Sequence, residues 1–292
     1  MKKKHIRINK KRFLKTIGTV TALAIIFFIG FFSVNKLIEN KKPKTAAVNV
    51  KSVQSAANNN TVPKNEVKEN SANPAFTTNV PAGEYKPWQE RRGDGKKIAY
   101  LTFDDGPSIN TLKILNILKQ NNIKATFFLI GKNAESNPDL VKEEIAEGHV
   151  VGNHTYSHPI SYWKIGPEKL MEDVNHADRV LKSILGDEYN KKLVRFPGGY
   201  MGHGEVVTPY KEAMIKAGYH FVDWNDETGD ADHNNVPVNM LVANLKKYTN
   251  IANSNTLVVL MHDAAAKSTS VQALPQVIEY LRGKGYDFGV LE

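Results

Sequence analysis

The 292-residue sequence contains no cysteine. Disulfides and thiolate metal sites are thereby excluded, and any metal must be held by His, Asp or Glu. Aromatic residues are nearly missing from one stretch: between positions 41 and 84, a segment rich in Lys, Asn, Ala, Thr, Val and Pro, Phe76 stands alone. Such a segment buries too little apolar surface to offset the entropy of ordering it, so 37–84 reads as a disordered linker. Nor does the body of the chain carry a surplus of one charge. The whole sequence has a net charge of +9, but residues 1 to 15 hold eight Lys/Arg and no acid, and residues 36 to 84 hold seven Lys/Arg against four Asp/Glu. Residues 85 to 292 keep 24 Lys/Arg and 26 Asp/Glu. The basic character belongs to the N-terminal part, and a nucleic-acid-binding function is set aside.

Long hydrophobic runs are absent with one exception. Ile17 to Val34 is 18 residues without a charge, close to what a helix needs to cross a hydrocarbon core of about 30 Å. The basic segment 1–16 precedes it. Together they predict a signal-anchor helix over 17–36, its basic end in the cytoplasm and the remainder outside, in a single-pass cell-membrane protein. A cleaved signal peptide is the rival expectation, but Asn35, Lys36 and Leu37 follow the run where a small-x-small cleavage site would be needed. The linker, extended, would reach about 150 Å and tether a folded domain over 85–292.

From Lys97 onward, strand-like runs alternate with segments of helical period. "IAYLTF" (98–103), "KATFFLI" (124–130), "HVVGNH" (149–154), "KLVRF" (192–196), "YHFVDW" (219–224), "TLVVLMH" (256–262) and "DFGVL" (287–291) are the strand candidates. Six intervening segments place apolar residues three and four apart. This alternation predicts a parallel α/β fold, either a barrel or a doubly wound sheet, in which ligands gather at the carboxyl ends of the strands.

Polar clusters stand at those ends: Asp104 and Asp105 in "TFDDGPS", His154 and His158 in "HTYSHP", Arg195 in "RFPGGY", Asp223 and Asp230 in "DWNDETGD", His262 in "LMHD". Each has a bland alternative. Asp-Asp-Gly-Pro is ordinary turn chemistry, His-x3-His a common accident, Arg195 a surface residue before a turn, Asp223 and Asp230 caps or loop acids, and His262 a core histidine. Together they make a set. Two His and one Asp suffice for a catalytic zinc that keeps one position open for water, or for the facial triad of a non-heme iron enzyme. His5, His149, His176, His203, His220 and His233 have no such setting and are given no role.

The ordered set "TFDDGPS", "HTYSHP", "RFPGGY", "DWNDETGDA" and "LMHD" resembles the polysaccharide deacetylases, the NodB-homology domain of carbohydrate esterase family 4, over about 97–292. The resemblance implies a distorted (β/α) barrel and metal-dependent hydrolysis of N-acetyl groups on a glycan. The implied substrate is N-acetylglucosamine of cell-wall peptidoglycan, with N-acetylmuramic acid, chitin oligomers or a capsule polymer as alternatives. Zinc, or cobalt or another divalent ion, would be held by Asp105, His154 and His158. Asp104 would be the general base held by Arg195, and His262 the general acid oriented by Asp230, with Asp223 the rival partner. Pro197, Gly198, Leu260 and Trp224 would contact substrate, Gly198 through its amide and Leu260 at the acetyl methyl. The set departs from the family at Gly198, where many members have Tyr, and at Ala231, where many have Trp. Those departures motivate a second hypothesis, a catalytically silent glycan-binding wall protein. The catalytic domain is expected to be monomeric.

Overall fold

The computed structural model describes residues 81–90 and 93–291. The expected segments 1–16 and 17–36, and the linker up to residue 80, lie outside them. No helix among the described residues is long and apolar enough to cross a membrane.

The strands are β1 (Gly83–Glu84), β2 (Lys97–Gly106), β3 (Thr126–Leu129), β4 (Val150–Asn153), β5 (Leu193–Val194), β6 (His220–Phe221), β7 (Asp226–Glu227), β8 (Thr256–His262) and β9 (Tyr286–Gly289). The helices are α1 (Thr111–Gln120), α2 (Gly131–Ser136), α3 (Pro138–Ala146), α4 (Pro167–Leu185), α5 (Thr208–Lys216), α6 (Val238–Ala252) and α7 (Ser268–Gly283). All strand pairs are parallel, in the order β1-β6-β5-β4-β3-β2-β8-β7, with β9 also on β2. The result is a curled half-barrel. No pairing joins β1 to β7 among the described residues, so the expected barrel is open on that side. Gly83 and Glu84, counted with the linker from sequence, are instead a strand: Gly83 and Tyr85 donate backbone hydrogen bonds to Tyr219 and Phe221, and Lys86 and Lys211 flank Glu84.

The central strand shows why the run 98–103 is uniformly apolar. β2 is covered by helices and lies between β8 on one side and β3 and β9 on the other, so Ile98 to Asp104 are all buried, as parallel sheets require. The helices press apolar stripes onto the sheet. Ile114, Leu115 and Leu118 of α1, and Leu170, Val174, Ala177, Leu181 and Leu185 of α4, are buried positions at helical spacing. Gly152 of β4 permits a close approach. A Cβ there would lie 2.6 Å from Phe128 Cδ1, and Phe128 is the ring on which the Arg195 guanidinium rests.

One core residue breaks the pattern. Glu144 of α3 has 0 % exposure, and neither carboxyl oxygen has a hydrogen-bond partner among the described residues. Burial, with the charge of Asp263 second, raises its pKa well above the ordinary 4.5. The folded state therefore keeps a proton that the unfolded state releases, and stability falls as pH rises above about 4.5. We predict that Glu144→Leu raises unfolding free energy by about 1–3 kcal/mol, with a larger gain at pH 8 than at pH 5. Denaturant titration at both values checks it; a loss of stability, or a gain that ignores pH, would refute it.

Candidate active site

The end of β2 divides two neighbouring acids. Asp104 continues the strand opposite His262 of β8, whereas Asp105 adopts φ 71°, in the left-handed region that a non-glycine residue enters only when its surroundings enforce it. The two carboxylates consequently differ in their second partner: Asp104 Oδ2 lies 3.7 Å from His154 Nε2 but its Oδ1 meets Arg195, whereas Asp105 meets both histidines. Asp105 Oδ1 lies 3.6 Å from His154 Nε2 and 3.3 Å from His158 Nε2, and the two imidazole nitrogens are 3.1 Å apart. The loop after β4 makes this possible with left-handed backbone at Thr155 and His158, held by Asn153 Oδ1, which accepts the Thr155 amide.

This trio fits a metal ion by its own chemistry. The Arg195 carbonyl lies 2.8 Å from His154 Nδ1, and because it can only accept, Nδ1 carries the proton and Nε2 presents a lone pair. Burial, then the nearby His158, push the His154 pKa down to about 3, so the ring is neutral. Asp105 Oδ1 is buried and has no hydrogen-bond donor. Asp105, His154 and His158 all offer their ligand atoms within 4.8 Å of one another.

Asp104 belongs to Arg195. Arg195 Nη1 donates to Asp104 Oδ1 at 2.9 Å and to Thr102 Oγ1 at 2.7 Å, Nε to the Val222 carbonyl and Nη2 to the Asp223 carbonyl. The guanidinium has 0 % exposure and stacks between Phe128, at 4.2 Å, and Trp224, at 5.7 Å. Burial raises the Asp104 pKa above the ordinary range, opposed first by the Arg195 charge. Asp104 is thus a fixed carboxylate with enhanced proton affinity.

Of the two acids left open for His262, Asp230 meets it. His262 Nδ1 lies 2.8 Å from Asp230 Oδ1, and the His262 amide donates to Oδ2. Ser270 Oγ also donates to Oδ2, and the Lys267 ammonium to the Asp230 carbonyl. Asp223 instead accepts the amides of Tyr200 and Met201 on Oδ2, and so holds the turn that follows Arg195. Sequence reading missed that role, as it missed Ser270 and Lys267, which sit on α7 or just before it. It also missed Asp263, buried, whose carboxylate accepts from Ser108 and Thr111 and fixes the loop beyond Asp105.

The expected substrate contacts occupy the same edge. Leu260 is buried on β8 two residues before His262, hence on the same face of the strand. Pro197 is buried and Gly198 exposed; the Gly198 amide has no partner among the described residues. Trp224 lies against Gly199, where a Cβ would stand 3.0 Å from the indole, and donates from Nε1 to Glu227. Ala231 is exposed, so the aromatic wall here is Trp224, from the end of β6.

An open three-donor centre beside a fixed carboxylate and a carboxylate-bound imidazole is the equipment of a metal-assisted hydrolase. Comparison with known proteins narrows the class. Residues 91–222 match the polysaccharide deacetylase family. Over 201 residues the chain is 38% identical to a peptidoglycan-N-acetylglucosamine deacetylase of Bacillus cereus, covering 67% of this chain and 70% of that one. It is 33% identical over 202 residues to a chitin deacetylase of Colletotrichum lindemuthianum, covering 64% and 74%. A Streptococcus mutans CE4 esterase structure superposes with a TM-score of 0.63 at 33% identity, covering 68% of this chain and 87% of that one. The chain belongs to the polysaccharide deacetylase family and is a deacetylase hydrolase.

The His262 environment has a measurable consequence. Burial alone would lower its pKa, but the charge and hydrogen bond of Asp230, with Asp104 and Asp105 adding, push it up to about 9. In an NMR titration of the imidazole we expect the midpoint well above the ordinary 6.5, and a lower midpoint in Asp230→Asn. An unshifted midpoint, or one indifferent to that substitution, would contradict the pairing.

Proposed function

We propose that the protein removes acetyl groups from N-acetylglucosamine residues of peptidoglycan by metal-dependent hydrolysis, releasing acetate and leaving glucosamine. The carrying observation is the division of labour at the end of β2: Asp105 faces both metal-type imidazoles, while Asp104 is bound on Oδ1 by Arg195 and turns Oδ2 toward the same centre, 3.7 Å from His154 Nε2. The similarity to the Bacillus cereus enzyme supports the sugar. In this reading the segment 17–36 anchors the chain in the cell membrane and the linker carries the domain, as a monomer, into the cell wall.

An amide is a weak electrophile and an amine a poor leaving group. Asp105, His154 and His158 would hold a divalent metal, zinc in this reading, which would polarise the carbonyl and lower the pKa of water to about 7. Asp104, its oxygen fixed by Arg195, receives the proton of the attacking water. His262, protonated and held by Asp230, delivers a proton to the departing nitrogen. The unpartnered Gly198 amide is available to the developing oxyanion; loss of such a donor costs about 10² to 10³ in rate. Leu260 lines the floor under the acetyl methyl. The chitin deacetylase relative supports a second reading, action on chitin oligomers, with the same residues in the same roles.

Acetate release from peptidoglycan and from N-acetylglucosamine oligomers tests the proposal. Chelator should abolish it and added zinc restore it, and Asp104→Asn should lower kcat by about 10² to 10⁴. Turnover that survives chelation, or that Asp104→Asn leaves intact, would overturn the mechanism. Release from chitin oligomers alone would move the substrate to the second reading.

A further inference from the structure

Two loops leave the active site side by side: one follows His158, the other follows Arg195. Tyr162 ties them together. It has 0 % exposure, and its hydroxyl donates to the Gly199 carbonyl at 3.1 Å. The next residue, Trp163, is only partly buried and stacks on His203 of the second loop, with ring centroids 4.2 Å apart and planes tilted by 35°. Tyr162 meets both rings edge-on, at 5.4 Å and 6.3 Å, so the pair is braced from beneath.

A tryptophan that served only to fill the core would be buried with its N–H satisfied. Here Tyr162 fills the core, Trp163 packs against it with only part of its surface, and neither the Trp163 indole N–H nor a ring nitrogen of His203 has a hydrogen-bond partner among the described residues. The backbone beside them is bare. Gly198, Gly202 and Gly204 hold positive φ, and a Cβ at any of them would meet no atom within 4 Å. Glycine of this kind allows a ligand to approach the chain closely. The surface therefore combines an aromatic pair, free N–H edges and uncovered backbone at Gly198, Gly202 and Gly204. A pyranose ring, with its apolar C–H face and its rim of hydroxyls, has the matching chemistry.

We propose that Trp163 and His203 form a binding platform for a sugar of the substrate chain other than the one that loses its acetyl group. The proposal rests on the glycan deacetylase reading and adds the recognition of chain length to it. The test is kcat/KM for the dimer and the pentamer of N-acetylglucosamine, with the whole protein. Trp163→Ala and His203→Ala should each lower the pentamer-to-dimer ratio about tenfold, through KM, and Trp163→Phe should retain most of it. An unchanged ratio would overturn the platform; should Trp163→Ala fail to fold, the His203→Ala ratio decides. Tryptophan fluorescence separates this result from failure of the reaction itself. Pentamer added to the Asp104→Asn protein should change the emission, and Trp163→Phe in that background should reduce the change to what Trp224 in the pocket contributes; a change that Trp163→Phe leaves undiminished would overturn the platform. If the wild type releases no acetate from any oligomer, the proposed reaction fails, and the emission change still decides the platform. No emission change would overturn it.

Discussion

The architecture of the site depends on one buried cation. Arg195 reaches from the end of β5 under the sheet edge to Asp104 and Thr102 of β2 and to carbonyls at the end of β6. A guanidinium without exposure is tolerable only when its charge is paired and its donors are used; here Asp104 pairs the charge and four of the five N–H donors are used. The same contact determines what the acids do. With Asp104 committed to Arg195, Asp105 turns away through a left-handed backbone and faces the two histidines. Arg195 also donates nothing from its carbonyl but accepts from His154, which fixes the imidazole tautomer. One residue thereby positions Asp104 and one metal-type donor.

A second anchored unit lies across the strand edge. Asp230 is held by Ser270, by the His262 amide and by Lys267, and it raises the proton affinity of His262. The two units are opposed in effect: Arg195 restrains a carboxylate, and Asp230 sustains an imidazolium. Between them lie the Gly198 turn and Leu260. In the proposed reaction that polarity supplies a base on one side and an acid on the other, as amide hydrolysis requires. The position of Trp224 belongs to the same arrangement, because its indole packs on both Gly199 and Arg195.

Much of this was legible in the sequence, for local reasons. Parallel strands buried on both faces are continuous apolar runs, so β2 and β8 were plain, and strand-end chemistry follows once the fold class is known. Asp104, Asp105, His154, His158, Arg195 and His262 stood out by falling at those ends. Three short elements were not legible: β1 and β7 have two residues each, and α2 has six, too few for a period to declare itself, whereas the equally short β5 and β6 lie inside longer apolar runs. Partners distant in the chain were hidden as well. Asp223 and Asp230 look alike in "DWNDETGD", and only packing shows that one holds the turn at Tyr200 and the other His262. Glu144 sits at a helical position that reads as solvent-facing, yet it is enclosed by the core.

The central claim is that adjacent acids perform separate tasks, Asp105 as a metal ligand and Asp104 as a base that binds no metal. Zinc affinity, measured by titration calorimetry on the wild type, Asp104→Asn and Asp105→Asn, tests it most directly. The account predicts one zinc site, lost or strongly weakened in Asp105→Asn and retained in Asp104→Asn although that variant no longer turns over substrate. Equal loss of zinc in both variants, or none in Asp105→Asn, would contradict it.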